Sequence, residues 1–196
     1  MIKAFQIKIT LDNTKPAIWR RILVESDTTF FKLHHIIQIA MGWANYHLFE
    51  FKIAGYRIGK ISEEFADMGY GNDKLVDCEI TKLSDVLSGE KENFKYDYDF
   101  GDSWTHTITV EKIIETNQYL PSCIKGKLNC PPEDCGGVYG FYHLLKIIST
   151  KKNKEYKEII EWLGGHYDPK EFDLATIKNE LLHLDDYIKE WNKSEE

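Results

Sequence analysis

At 196 residues the chain has room for a single hydrophobic core of ordinary size. Hydrophobic residues make up 42% and charged residues 29%, the balance of a soluble globular protein rather than of a disordered one. The formal charge of −7 argues against a broad nucleic-acid-binding surface, and no uninterrupted apolar run approaches the length of a membrane-spanning helix.

Met1 to Gln6 has no apolar leader core and passes directly into an alternating pattern, which points to the cytoplasm and to reduced thiols. Phe5, Ile7, Ile9 and Leu11 mark a first strand, residues 12–16 a turn, and Ile18 to Val24 a second strand. Ile18, Ile22 and Val24 share one face of that strand; Trp19, Arg21 and Leu23 share the other. Trp19-Arg20-Arg21 is either a stacking and anion-binding unit or, more ordinarily, a core tryptophan flanked by two arginines that reach to solvent.

Thr28 or Thr29 can cap a helix running to about Met41, striped by Phe30, Leu33, Ile37 and Ala40 and stopped by Gly42. His34 and His35 are adjacent, so they point about 100° apart and do not readily share one ion. After the connection Trp43 to Tyr46, His47, Phe49, Phe51 and Ile53 read as one face of a third strand, with residues 56–61 as its partner beyond Gly55. His47 there is most simply a hydrogen-bonded core histidine; a ligand role is the alternative. Residues 62–79 lack periodicity and read as a long surface loop, and residues 81–87 as a short helix.

The densest chemistry lies in Tyr96 to His106. Phe94, Tyr96, Tyr98 and Phe100, then Trp104, His106, Ile108 and Val110, alternate with polar residues on either side of Gly101-Asp102, the pattern of a β-hairpin. A three-residue loop, Gly101 to Ser103, would pair Phe100 with Trp104, Tyr98 with His106 and Tyr96 with Ile108, keeping the apolar set on one face. Asp97, Asp99, Thr105 and Thr107 would share the opposite face, with Asp102 at the tip. That face is either a carboxylate rim for a cation or polar ligand, or simply solvated.

Residues 115–137 read as irregular. They hold Cys123, Cys130 and Cys135, whose spacing is wider than the usual knuckle of a structural zinc site; a zinc ion is the minority reading beside reduced structural thiols. The remainder is helical: a helix striped by Phe141, Leu144, Leu145 and Ile148, and a second striped by Tyr156, Ile159, Ile160 and Leu163. Asp168-Pro169-Lys170-Glu171 has capping-box form, and Asp173 can cap a last helix carrying Leu174, Ile177, Leu181, Leu184 and Ile188, with residues from Trp191 fraying. No nucleotide-binding glycine loop, nucleophile elbow or zinc-protease motif is present.

Pro16 to Arg21, Leu33-His34, Gly42-Trp43 with His47-Leu48 and Phe51, Tyr98 to Trp104 with His106, Cys130 to Gly137, and Asp168-Pro169 with Phe172-Asp173 follow one another in an order that resembles the family named after the third open reading frame of a root-inducing bacterial plasmid. Some members bear a resolvase label from mobile elements, but this chain offers no arginine-surrounded nucleophilic serine and no basic recognition helix.

These readings converge on one α+β domain over 1–196: a mixed or antiparallel sheet of five to six strands (1–114), one helix packed on it, the irregular loop (115–137) and a C-terminal helical cluster (138–191). The expected site is the hairpin tip together with the Pro-Pro-Glu-Asp corner: Asp99, Asp102, Trp104, His106, Glu133 and Asp134, with Trp43 and His47 nearby. Two functions fit. One is a non-catalytic module binding a protein or small molecule. The other is a metal-dependent hydrolase or nucleic-acid-processing accessory of a mobile element, with a divalent cation on the carboxylates and His106 as base.

Overall fold

The computed structural model describes residues 1–61 and 74–194. Most of the expected loop at 62–79 therefore lies outside the described residues. The centre is an eight-stranded sheet, larger than the five to six strands expected. Its strands are β1 (Ile2–Leu11), β2 (Trp19–Glu25), β3 (Phe49–Ile53), β4 (Tyr56–Gly59), β5 (Lys74–Asp77), β6 (Asn93–Tyr98), β7 (Trp104–Thr116) and β8 (Ser122–Lys127). Their spatial order is β5-β4-β3-β6-β7-β1-β2-β8. Every neighbouring pair is antiparallel except β4–β5.

The two unexpected strands are the two edges. An edge strand has one neighbour and little to bury, so its sequence need not alternate. In β8 only Cys123 is buried, which is why Ser122 to Lys127 reads as loop.

Phe5, Ile7, Ile9, Ile22, Phe51, Tyr96, Trp104 and Ile108 fill the core face of the sheet. The other face carries cross-strand ion pairs such as Arg21–Glu111 and Lys95–Asp12. Helix α1 (Phe30–Met41) begins at Thr29, whose side chain accepts from Lys32 N, and ends at Gly42, in the left-handed region at φ 77°. Ten of its twelve residues are buried, because it lies between the sheet and the last two helices. Several of its buried polar groups are paired inward: His34 Nδ1 with Tyr96 Oη at 2.7 Å, His34 Nε2 with Asn45 Oδ1 at 2.6 Å, and Gln38 Nε2 with Tyr96 Oη at 2.9 Å; His35 Nε2 and Gln38 Oε1 are buried without a hydrogen-bond partner among the described residues.

The other helices are α2 (Leu83–Val86), α3 (Gly137–Ile148), α4 (Tyr156–Trp162), α5 (Leu174–Leu182) and α6 (Leu184–Ser194). Asp168 turns the chain but starts no helix; Lys170 N donates to its side chain and Glu171 N to its carbonyl. Asp173 is the cap that works, accepting from Thr176 N at 3.0 Å. The helix expected from there on is broken at His183 into α5 and α6. Trp191 does not fray: its indole N–H donates to Asn45 O at 3.2 Å and its ring packs 4.9 Å from His35.

The Trp19-Arg20-Arg21 trio is inverted from its expected arrangement. Trp19 faces outward with Lys8 and Arg21 over its ring. Arg20 is the core residue, donating to the carbonyls of Ala40, Trp19 and Lys127 and to Cys130 Sγ, under the ring of Phe172. A planar fork of donors can be buried against carbonyls in this way.

Candidate functional site at the hairpin tip

The central hairpin pairs Tyr98 with Trp104, Tyr96 with His106 and Phe94 with Ile108. This register differs by two residues from the expected one, so the faces are as expected while the loop grows to five residues, Asp99 to Ser103. Phe100 therefore lies in the loop and not in the strand.

Asp99 causes the change. It leaves the ladder in the left-handed region at φ 53°, a conformation that aspartate tolerates better than most residues. Its Oδ1 accepts from Gly101 N at 2.9 Å and Asp102 N at 3.2 Å, closing an Asx turn. Asp99 thus does not share the outer face with Asp97, which pairs instead with Lys52 at 2.9 Å. The other carboxylate oxygen, Oδ2, is turned toward His47 Nε2, 3.6 Å away.

The Pro-Pro-Glu-Asp corner meets this tip. Glu133 is fully engaged: Oε2 accepts from Ala44 N at 2.6 Å and Oε1 from the Tyr98 hydroxyl. Burial, and then this donation to a carboxylate, push the Tyr98 phenol well above its ordinary pKa. Asp102 Oδ2 accepts from Gly136 N at 3.0 Å, joining the hairpin tip to the start of α3. Asp134, also left-handed at φ 56°, presents Oδ1 3.1 Å from His47 Nε2.

The expected residues therefore separate into three groups. His47, Asp99 and Asp134 come together, one ligand atom from each lying within 4.8 Å of the others; they are the one such group among the described residues. His47 precedes β3 and is half-buried at this cluster, not a core strand histidine. Glu133 and Asp102 clamp the loops that carry the cluster. Trp43, Trp104 and His106 are core residues: Trp43 stacks on Tyr98 at 5.1 Å and donates to Pro131 O, and Trp104 and His106 are fully buried. Burial lowers the His106 pKa to about 4, so its ring is neutral, with Nδ1–H on the Tyr96 carbonyl.

The cysteines do not form a metal centre among the described residues. Cys130 Sγ faces Arg20 and Met41 Sδ, and Cys123 lies in edge strand β8. All are free thiols. Burial pushes Cys123 and Cys130 up to about 11 and Cys135 up to about 12, so they are protonated at neutral pH.

Fold and site define an α+β protein with helices on one face of an antiparallel-dominated sheet and an imidazole–carboxylate cluster at a hairpin tip. The chain belongs to the plasmid pRiA4b ORF-3-like protein family, whose model matches residues 3–176 and so spans the whole site. It is 31% identical over 189 residues to the uncharacterized protein y4hQ of Sinorhizobium fredii (strain NBRC 101917 / NGR234), covering 95% of this chain and 93% of that one. Its structure is similar to the crystal structure of MM3350, a protein of unknown function from Methanosarcina mazei Go1, with TM-score 0.77, 34% identity, and coverage of 90% of this chain and 97% of that one.

Among the described residues no helix is long and apolar enough to cross a membrane.

Proposed function

We propose that the protein is a cytoplasmic binding module whose hairpin tip holds a divalent cation through His47 Nε2, Asp99 Oδ2 and Asp134 Oδ1. The carrying observation is the mutual approach of these three atoms. Metal–ligand bonds of about 2.1 Å place neighbouring ligand atoms roughly 3.0–3.4 Å apart; of the two histidine–carboxylate separations, 3.1 Å lies within that range and 3.6 Å just above it. One imidazole and two carboxylates suit Zn²⁺ or Mn²⁺ better than Ca²⁺ or Mg²⁺, which take oxygen donors. Three protein ligands leave coordination positions open for a ligand. A cation also offsets the repulsion between two carboxylates held this close.

The hydrolase reading loses its base. His106 is enclosed in the core behind Trp43 and Tyr96, so it reaches nothing that reacts at the tip. This favours binding over hydrolysis.

The test is calorimetric titration of chelator-stripped, tag-free protein with Zn²⁺ and with Mn²⁺. One equivalent is expected to bind and to raise the melting temperature, by linkage to the folded state. Asp99→Asn keeps the left-handed backbone and the Asx turn while removing the charge, and is expected to weaken binding by about tenfold or more. Asp134→Asn should do the same. A wild-type protein that takes up neither ion at one equivalent, or an affinity untouched in both variants, overturns the proposal.

A further inference from the structure

Beside the cluster, α3, α4 and the corner line an open cleft of about 520 Å³, within the range of small-molecule sites, roughly 300–1,000 Å³. We propose that it binds a small organic cation, an ammonium carried on an aliphatic or aromatic body. The inference extends the reading above in that Asp134 belongs to both the cluster and the cleft wall, but it does not require a metal.

Two independent features carry it. The first is incomplete packing. Leu144 and Ile147 of α3 face Ile159 and Trp162 of α4 across the cleft. No residue of α4 is buried, and Trp162 is 48% exposed. A seven-residue helix has little stability of its own, so apolar side chains held open on its inner side leave a hydrophobic contact to be completed. A ligand with an apolar body completes it.

The second feature is charge. Glu158 and Glu161 line the cleft together with Asp134, which the tip cluster shares, and His143; no lysine or arginine among the described residues does. Glu158 and Glu161 make no ion pair among the described residues. Glu158, Glu161 and Trp162 are spaced three and four residues apart, which places two carboxylates and an indole on one side of α4. A carboxylate pair beside an aromatic face recognises an ammonium by charge and by cation–π attraction, and repels an anion of the same shape.

The probe is 2-phenylethylammonium, with phenylacetate as its anionic match, titrated calorimetrically into the full chain. The ammonium is expected to bind at one equivalent and at least about tenfold more tightly than phenylacetate. The double variant Glu158→Gln/Glu161→Gln, on exposed positions that leave the core intact, should abolish that preference. Ile159→Trp, checked for folding by circular dichroism, should fill the cleft and abolish binding. Asp99→Asn should leave ammonium binding unchanged, so a failed metal site does not count as a failed cleft. No binding of the ammonium, equal binding of phenylacetate, or a double variant that keeps the preference overturns the proposal. So does a loss of binding in Asp99→Asn alone, which would place the ammonium on the carboxylates of the tip cluster instead of in the cleft.

Discussion

Between about pH 6.5 and 4 the folded protein should lose a large part of its stability, earlier in acid than protonation of its carboxylates alone would bring. His106 and His35 are pushed down to about 4 by burial, and His34, fully enclosed beside His35, is pushed well below its ordinary value. Unfolded, each would titrate near 6.5. The native state thus holds neutral rings while the unfolded chain takes up protons. The stabilisation is complete above about pH 6.5 and is lost as pH falls toward 4. Each of the two rings with a value near 4 costs on the order of 2–3 kcal/mol by pH 4.5, large against a total of about 5–15 kcal/mol. Glu111 and Asp185, held below the usual carboxylate range by Arg21 and Lys32, add their share only at lower pH. Urea denaturation at pH 7.5, 6.5, 5.5 and 4.5 measures the slope. His106→Phe removes one titrating ring, one long hydrogen bond of 3.3 Å to Tyr96 O and a buried, unpartnered Nε2. It should be near neutral at pH 7.5 and should regain about 2–3 kcal/mol over wild type at pH 4.5. An unchanged acid slope in this variant would show that His106 is not held neutral by the fold.

The same burial explains which features were legible in the sequence. β1, β2, β6 and β7 show because a strand packed on one face writes a period of two into its residues. α1 shows through Thr29, Gly42 and its stripe. The hairpin's faces were legible but its register was not, because a shift of two residues preserves every face. Only the turn chemistry of Asp99 distinguishes the two, and an Asp two residues before a Gly was its available signal. β5 and β8 stayed hidden because edge strands bury too little to alternate. Among the site residues, Trp104 and His106 lie on the apolar side of the very alternation that defined the hairpin. Their chemistry is that of a site, while their phase in the strand assigns them to the core. His47 erred in the other direction: the apparent strand begins only at Phe49, so its phase carried no information.

Asp99 and Asp134 owe their meeting to the seam between the hairpin tip and the start of α3, and Gly137 is where that seam is closest. Gly137 lies at φ +66°, and a Cβ built on it would stand 2.4 Å from the Asp102 carbonyl oxygen. Gly137→Ala should therefore cost about 2–4 kcal/mol: roughly 1–2 for a left-handed alanine and the rest for an overlap with backbone that no rotamer relieves. Gly164 separates the two contributions. It has a similar φ of +69° with nothing within 4 Å of a Cβ, so Gly164→Ala should cost only the backbone share, roughly 1–2 kcal/mol. Denaturant titration of both variants gives the difference. Relief of the overlap requires the tip to withdraw, which stretches the 3.0 Å bond from Gly136 N to Asp102 Oδ2 and draws Asp99 away from Asp134. Gly137→Ala should then weaken cation binding while Gly164→Ala leaves it intact. Equal stability losses in the two variants would mean that the close approach at Asp102 is not what holds the tip against the corner.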